Sequence, residues 1–313
     1  MASRPDARRI VVVGAHSQSL LLRVERVPAE GETVLGWSYE EPLDGGKATN
    51  QAVAAARLGV PVTFVTVFGS DERGARIRRY LEDAGVDLAY SSVADGPTDV
   101  GFVVLPRTGI PAIVTAADAS VLVDKALIER SAPAFRDASL VVAQLEAPQE
   151  AAIAAFELAR AHGATTILNP APAAPLDPQL VALTDILVPN EHEAAQLAGR
   201  HAPVEELAGL VRRALAVPAV VVTAGPLGAY LSVDGAEDLL ASAPLVDATD
   251  TTGAGDAFVG ALASRLHGGD GLVDAARFAV HYAARSVARP GTLPAYPTLE
   301  EMIDHVRVTR EPG

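Results

Sequence analysis

The sequence predicts an α/β protein, a doubly wound and mostly parallel sheet with helices on both faces, carrying a small antiparallel β lid. Three observations carry that expectation. Short β-branched runs at Ile10 to Val13, Val62 to Phe68 and Ala219 to Thr223 read as buried strands. Amphipathic helical stretches separate them, the rhythm of parallel βαβ units. In the middle, Asp99 to Leu105 and Ile110 to Thr115 break that rhythm as a hairpin turning at Pro106-Arg107-Thr108-Gly109.

In chain order, Ile10 to Val13 opens the main sheet and Gly14 to Ser19 forms a polar segment at its carboxyl end, where open α/β sheets bind ligands. Leu20 to Val27 is apolar again, and Thr33 to Tyr39 is a third lid strand containing the sole tryptophan, Trp37. The turn Asp44-Gly45-Gly46-Lys47 opens a helix from Ala48 to Leu58 that stops at Gly59. A helix over Asp71 to Ala84 stops at Gly85. From Leu140 the α/β rhythm resumes, with strands at Leu140 to Leu145, Thr165 to Leu168, Ile186 to Val188 and Ala219 to Thr223. The helices between them are Pro148 to His162, Glu191 to Ala198 and Val204 to Leu215. A hairpin pairs Ala229 to Val233 with Asp238 to Ala243, and helices over Asp256 to Leu266, Asp274 to Val287 and Leu299 to Val306 follow. We expect one domain over residues 1–313, its lid formed by about 20–43 and 98–116.

Composition narrows the function classes. The chain has 313 residues, 49% of them apolar, enough for a sizeable core. Its net charge of −14 argues against nucleic acid and anionic membranes as partners. The absence of cysteine excludes disulfides, thiol nucleophiles and Cys-based zinc sites. Met1 to Arg9 has no apolar h-region and no run reaches membrane-span length, which predicts a cytoplasmic protein. Lys47 and Lys125 are the two lysines.

Asp250 to Gly260 carries the most chemistry. Gly253-Ala254-Gly255 stands where a strand end meets a helix start, and unpaired N–H groups there form an anion site. Asp256 in the first turn suits a general base for a hydroxyl attacking phosphorus, or simply complements the helix dipole. Asn190-Glu191-His192-Glu193 reads either as a capping box or as a pair of side chains facing hydrated Mg²⁺ on a nucleotide. Gly45-Gly46-Lys47 lacks the spacing of a Walker A loop, and Gly14 to Ser19 lacks the Gly-x-Gly-x-x-Gly of a dinucleotide-dependent oxidoreductase.

Together these segments resemble the ribokinase branch of the PfkB family of carbohydrate kinases over nearly the whole chain. The resemblance rests on Gly45-Gly46-Lys47-Ala48-Thr49-Asn50-Gln51-Ala52, on Asp250 to Asp256, on Gln144 to Pro148, on Asn169 to Pro172 and on Pro189 to Glu193. It implies transfer of the γ-phosphoryl of ATP to a hydroxymethyl group of a small sugar. Asp256 would take the proton, and the N–H groups of Gly253, Ala254 and Gly255 would hold the phosphoryl group. Gly46, Lys47, Asn50 and Glu146 would contact the sugar; Thr223, Gly225, Gly228 and Asn190 would line the ATP site; and Asn190 and Glu193 would organise Mg²⁺ through water. A monovalent cation, K⁺ in this reading, would sit near Asp250, Thr252, Ser286, Arg289 and Gly291, with Ala295 where ribokinases carry a serine. Ser17 and Ser19 stand where ribokinases carry Asn and Asp, which argues against D-ribose as the best substrate. A nucleoside kinase on the same fold and a non-catalytic sugar or nucleotide sensor are the competing readings. The resemblance also implies a homodimer through the lid.

Overall fold

The computed structural model describes residues 8–110, 112–235 and 239–308. The predicted strand positions at Pro111 and Asp238, and most of the segment Met1 to Arg9, therefore lie outside the described residues.

Strand β1 (Arg9–Val13) lies inside the main sheet, third from one edge. The chain then leaves that sheet for β2 (Ser17–Val24) and β3 (Gly36–Glu40) and returns through helix α1 (Gly46–Arg57). The polar segment after β1 is thus partly strand: Ser17 to Ser19 begin β2, where alternating burial, not apolarity, marks the strand. The run expected as one strand over Val62 to Phe68 breaks at Thr66 into β4 (Val62–Val65) and β5 (Val67–Gly69). After α2 (Glu72–Asp83), capped by Asp71, come the short strands β6 (Val86–Asp87) and β7 (Ser92–Ala94). β5 pairs with β7, so Val67 to Gly69 leaves the main sheet.

The lid is completed by β8 (Asp99–Pro106) and β9 (Ala112–Ala116). Its order is β3-β2-β8-β9. The β2–β3 and β8–β9 pairs are antiparallel, whereas the central β2 and β8 run parallel. Register places Ser17, Ser19, Leu21 and Arg23 on one face, and Leu20 and Leu22 with their partners Phe102 and Tyr39 on the other.

The second half adds α3 (Lys125–Arg130), β10 (Ala138–Ala143), α4 (Gln149–Ala161), β11 (Thr165–Leu168), α5 (Pro178–Ala182), β12 (Ile186–Leu187), α6 (Glu191–Leu197) and α7 (Val204–Leu215). It ends with β13 (Ala219–Thr223), β14 (Gly228–Val233), β15 (Leu239–Ser242), α8 (Ala254–His267), α9 (Leu272–Ser286) and α10 (Leu299–Val308). Helices α3 and α5 were not expected; Asp124 and Asp177 cap them from turns too short to show helical periodicity. β10 starts and ends two residues earlier than the apolar run suggested, which frees Gln144 to Glu146 as a loop. The strand expected to reach Ala243 ends at Ser242.

The main sheet has nine strands in the order β15-β14-β13-β12-β11-β10-β1-β4-β6, parallel from β13 to β6 with β14 and β15 antiparallel at one edge. Ile10 and Val12 feed the core under α1, α8 and α9, while Val11 and Val13 feed the core under α4 and α7. Both faces being covered explains why the strands read as continuous apolar runs. Among the described residues, no helix is long and apolar enough to cross a membrane. The strand order reverses at β1, so the crevice at the carboxyl ends of β1 and β10 to β13 is the place to look for a ligand.

Candidate active site

That crevice collects predicted residues from several strand ends and from the starts of α1, α6 and α8. Gly253 caps α8 in the left-handed conformation at φ 75°, which puts Ala254, Gly255 and Asp256 in its first turn. A Cβ on Gly253 would lie 2.3 Å from Thr292 Cγ2 and 2.6 Å from the Tyr296 hydroxyl, so glycine is required by both conformation and space. The Tyr296 hydroxyl donates to the Gly253 carbonyl at 3.1 Å and holds this turn in place. No contact crowds the Gly255 Cα, leaving room for a ligand to approach the backbone.

Asp256 is buried, 8% exposed. Asn50 Nδ2 donates to its Oδ2 at 2.9 Å and Gln51 Nε2 to its Oδ1 at 3.0 Å. The pair of amides is itself braced: Gln144 donates to Gln51 Oε1 at 2.6 Å, and Gln51 Nε2 also reaches Asn169 Oδ1 at 3.0 Å. Burial raises the Asp256 pKa, opposed by Lys47, Asn50 and Gln51. A carboxylate whose basicity is raised while its direction is fixed suits proton abstraction.

α1 approaches α8 closely enough to make these contacts because the seam is built from small residues. A Cβ on Gly260 would lie 2.6 Å from both Ala54 Cβ and the Gln51 carbonyl oxygen. At the start of α1, Gly46 has φ 68°, and a Cβ there would lie 2.8 Å from Ser17 Oγ and 3.1 Å from Glu146 Oε2. Glu146 Oε2 accepts the Lys47 backbone N–H at 2.7 Å. Burial raises the Glu146 pKa to about 7, with Lys47 pulling the other way. Burial lowers the Lys47 pKa, but Asp256, Glu146 and Glu193 outweigh it and the ammonium is held protonated. Asn50 Oδ1 is buried with no partner, an acceptor aimed at something the protein does not supply.

A polar cavity of about 210 Å³ runs past Lys47, Asn190, Glu193, Thr223, Gly255 and Asp256. It adjoins a mostly apolar slot of about 270 Å³ lined by Gly225, Gly228, Val246, Phe258, Ala283 and Val287, with Thr223, Ala254 and Gly255 common to both. A mostly apolar slot that shares residues with a polar cavity suits a ligand with one apolar and one charged end. Gly228 has a structural duty as well, since a Cβ there would lie 2.0 Å from the Ala241 carbonyl oxygen.

Asn190 and Glu193 do form a capping box, with Glu193 Oε2 accepting Asn190 N at 2.8 Å and Asn190 Oδ1 accepting Glu193 N at 2.9 Å. Both also line the polar cavity, so the capping and ligand readings coexist. Burial raises the Glu193 pKa. The loops expected to hold a monovalent cation come together: Asp250 accepts Thr252 N at 2.9 Å and Gly291 N at 3.0 Å. The side chains of Ser286 and Arg289 turn elsewhere, to the Ala283 carbonyl and to Glu301, so these two positions have only main-chain carbonyls to offer. Ser17 and Ser19 begin β2 beside the start of α1, with Ser17 N donating to the Gly45 carbonyl at 3.2 Å.

Sequence reasoning missed Gln51 and Gln144 as braces and Tyr296 as the support of Gly253. Gln51 was findable, since it follows Asn50 on the same helix start; Tyr296 lies 43 residues beyond Gly253 with no local signal.

Comparison with known proteins gives a consistent result. The family described as pfkB family carbohydrate kinase matches residues 7–299. A ribokinase of Staphylococcus aureus (strain COL) is 35% identical over 299 residues, covering 94% of this chain and 98% of that protein. A deoxyribokinase of Salmonella typhi is 32% identical over 303 residues, covering 95% and 98%. The structure of Arabidopsis thaliana ribokinase complexed with ribose and ATP superposes with a TM-score of 0.89 at 30% identity, covering 95% of this chain and 98% of that one.

Proposed function

From the premise that this chain belongs to the PfkB family of carbohydrate kinases, and is therefore a phosphotransferase acting on a sugar hydroxyl with ATP, we propose that it phosphorylates a hydroxymethyl group of a small neutral sugar and that D-ribose is not its best substrate. The observation that carries the catalytic assignment is Asp256, held by Asn50 and Gln51 in the first turn of a helix whose start is capped by Gly253 in the αL conformation.

In this reading the sugar hydroxyl lies between Asp256 and the N–H groups of Gly253, Ala254 and Gly255. Asp256 accepts the hydroxyl proton as the oxygen forms its bond to the γ-phosphorus of ATP and the bond to the bridging oxygen of ADP breaks. The helix-start N–H groups stabilise charge on the transferring phosphoryl group. Lys47, facing three carboxylates, keeps the crowded negative charge tolerable and orients donor and acceptor. Glu193 and Asn190 fit a hydrated Mg²⁺, because Glu193 is a buried carboxylate with its capping bond on Oε2 alone. Bound there, Mg²⁺ would supply charge neutralisation for the nucleotide phosphates. The loops around Asp250 would take K⁺ through carbonyl oxygens. The apolar slot would take the adenine.

The doubt about D-ribose rests on Ser17 and Ser19, neutral hydroxyls on the lid face that meets α1. Neutral donors and acceptors give weaker contacts to sugar hydroxyls than a carboxylate does. The lid itself supports a homodimer: Trp37, Tyr39, Phe102 and Val114 are 42–67% exposed on a four-stranded sheet. A sheet that size needs a covered face.

The test is ADP release with Mg-ATP and K⁺ across pentoses, deoxypentoses, ketohexoses and nucleosides. A neutral sugar other than D-ribose should give the highest kcat/KM. D-ribose in first place removes the specificity claim, a nucleoside in first place replaces the acceptor class, and no turnover with any acceptor leaves the fold to a sensor.

A further inference from the structure

The apolar slot of about 270 Å³ has no charged side chain in its lining and, among the described residues, two polar ones, Thr223 and Thr251. Both threonines also line the polar cavity, so they stand at the end where the two spaces meet. Phe258 from α8, with Val280, Ala284 and Val287 at the end of α9, makes a buried wall. Pro226, Leu245, Val246 and Ala248 make an exposed rim. The main chain of the buried wall is already committed. Phe258, Val280 and Ala284 lie within α8 and α9, whose N–H and C=O groups pair along the helix. The Val287 carbonyl accepts Thr249 N at 2.7 Å and Asp250 N at 3.1 Å, and the Gly228 carbonyl accepts Ala224 N at 2.8 Å.

A purine has two apolar faces and a polar edge, and the edge is what distinguishes one purine from another. Adenine presents an amino donor where guanine presents a carbonyl acceptor. Reading that difference takes a fixed donor or acceptor, and the buried wall supplies neither. A base edge turned to the exposed rim keeps its water and pays no desolvation cost. The faces bury against Phe258, Val280 and Ala284 equally well for either purine. A pocket without polar contacts separates isosteres by roughly 10²-fold, whereas a site built to hydrogen-bond reaches about 10⁴–10⁵-fold.

We infer that the slot grips the base of the phosphoryl donor by its faces and leaves the edge unread, so that the enzyme accepts purine nucleoside triphosphates as a class, GTP and inosine triphosphate beside ATP. The transfer is the same for each. The sugar oxygen bonds to the γ-phosphorus, Asp256 takes the proton, the bond to the bridging oxygen breaks and the nucleoside diphosphate leaves. Pyrimidine donors are poorer, because a single ring covers less of the apolar wall. This inference rests on the sugar-kinase reading and on the apolar slot holding the base.

The experiment follows sugar-phosphate formation by mass spectrometry, with the best acceptor at saturation and ATP, GTP, inosine triphosphate or CTP as the donor, each as its Mg²⁺ complex. kcat/KM for GTP and inosine triphosphate should lie within roughly 100-fold of that for ATP, the difference falling in KM, and CTP should rank last. A larger preference for ATP would mean that main-chain groups of residues 243–248 read the edge, and CTP matching GTP would put the base outside the slot. Either overturns the inference and leaves the kinase reading intact. Ala284→Leu adds bulk to the wall and should raise KM for ATP and GTP by the same factor, with KM for the sugar unchanged. In a variant that melts with wild type, an unaltered KM, or one raised for a single donor, would likewise overturn the inference; should the variant not fold, the wild-type donor series decides. No sugar phosphate from any donor would overturn the kinase reading as well.

Discussion

Asp256→Asn separates catalysis from binding most cleanly. The side chain keeps its size, and the carbonyl oxygen of the amide can still accept from one of the two donors, Asn50 Nδ2 or Gln51 Nε2. What disappears is the proton acceptor. General-base catalysis contributes about 10²–10⁴-fold, so turnover should fall by that factor, an increase of about 3–5 kcal/mol in the barrier. Stability should move little, for two opposed reasons. One amide N–H now faces a donor, a loss of about 1–3 kcal/mol. Against it, burial disfavours the charged form of Asp256, so removing the charge relieves a cost that folding carries at neutral pH. Single-turnover phosphorylation followed by quench, beside nucleotide titration by calorimetry and a melting scan, measures all three. Intact ATP affinity and a similar melting temperature with slow chemistry are expected. Turnover within tenfold of wild type would refute Asp256 as the base, whatever the binding shows.

Gly260→Ala adds a methyl 2.6 Å from Ala54 Cβ and the Gln51 carbonyl, one helical turn from Asp256. It should cost about 1–3 kcal/mol by denaturant melting and lower kcat by moving Asp256 from its amide donors; unchanged stability would mean the α1–α8 seam has slack. Glu146 has its pKa raised from 4.5 to about 7, so between those values the native state holds a proton that the unfolded chain has released. Stability therefore falls as pH rises through that window, and Glu146→Gln should flatten the dependence of melting temperature on pH there; an unaltered slope would remove Glu146 as its source. For the lid, Phe102→Glu combined with Val114→Glu should shift the protein from dimer to monomer in light scattering, and a dimer that survives places the interface elsewhere.

The main sheet was legible because strands buried on both faces need uninterrupted apolar runs, and Ile10 to Val13 or Ala219 to Thr223 cannot be anything else in so short a span. The break at Thr66 was not, because valine and phenylalanine continue on both sides and only pairing partners distinguish β4 from β5. The parallel pairing of β2 with β8 joins segments some eighty residues apart, which no local pattern announces. Asp256 and its glycines were visible as a helix start with a carboxylate. Asn50, 206 positions away, could be placed beside it only through resemblance, and the brace from Gln144 and the support from Tyr296 depend on how α1, β10 and the segment before α10 meet.

Three buried or half-buried carboxylates, Glu146, Glu193 and Asp256, share one ammonium group, that of Lys47. Burial raises the pKa of every one, so the apo site opposes its own charges. In the proposed reading, sugar hydroxyls would meet Glu146 at one end and the reacting hydroxyl would meet Asp256 in the middle. A hydrated divalent cation would meet Glu193 at the other end, beside the N–H groups proposed to receive the phosphoryl group. A site composed in this way is most stable when acceptor, metal and donor are all present. Binding would offset the cost of holding these charges together, with Lys47 as the counter-charge common to Glu146, Asp256 and Glu193.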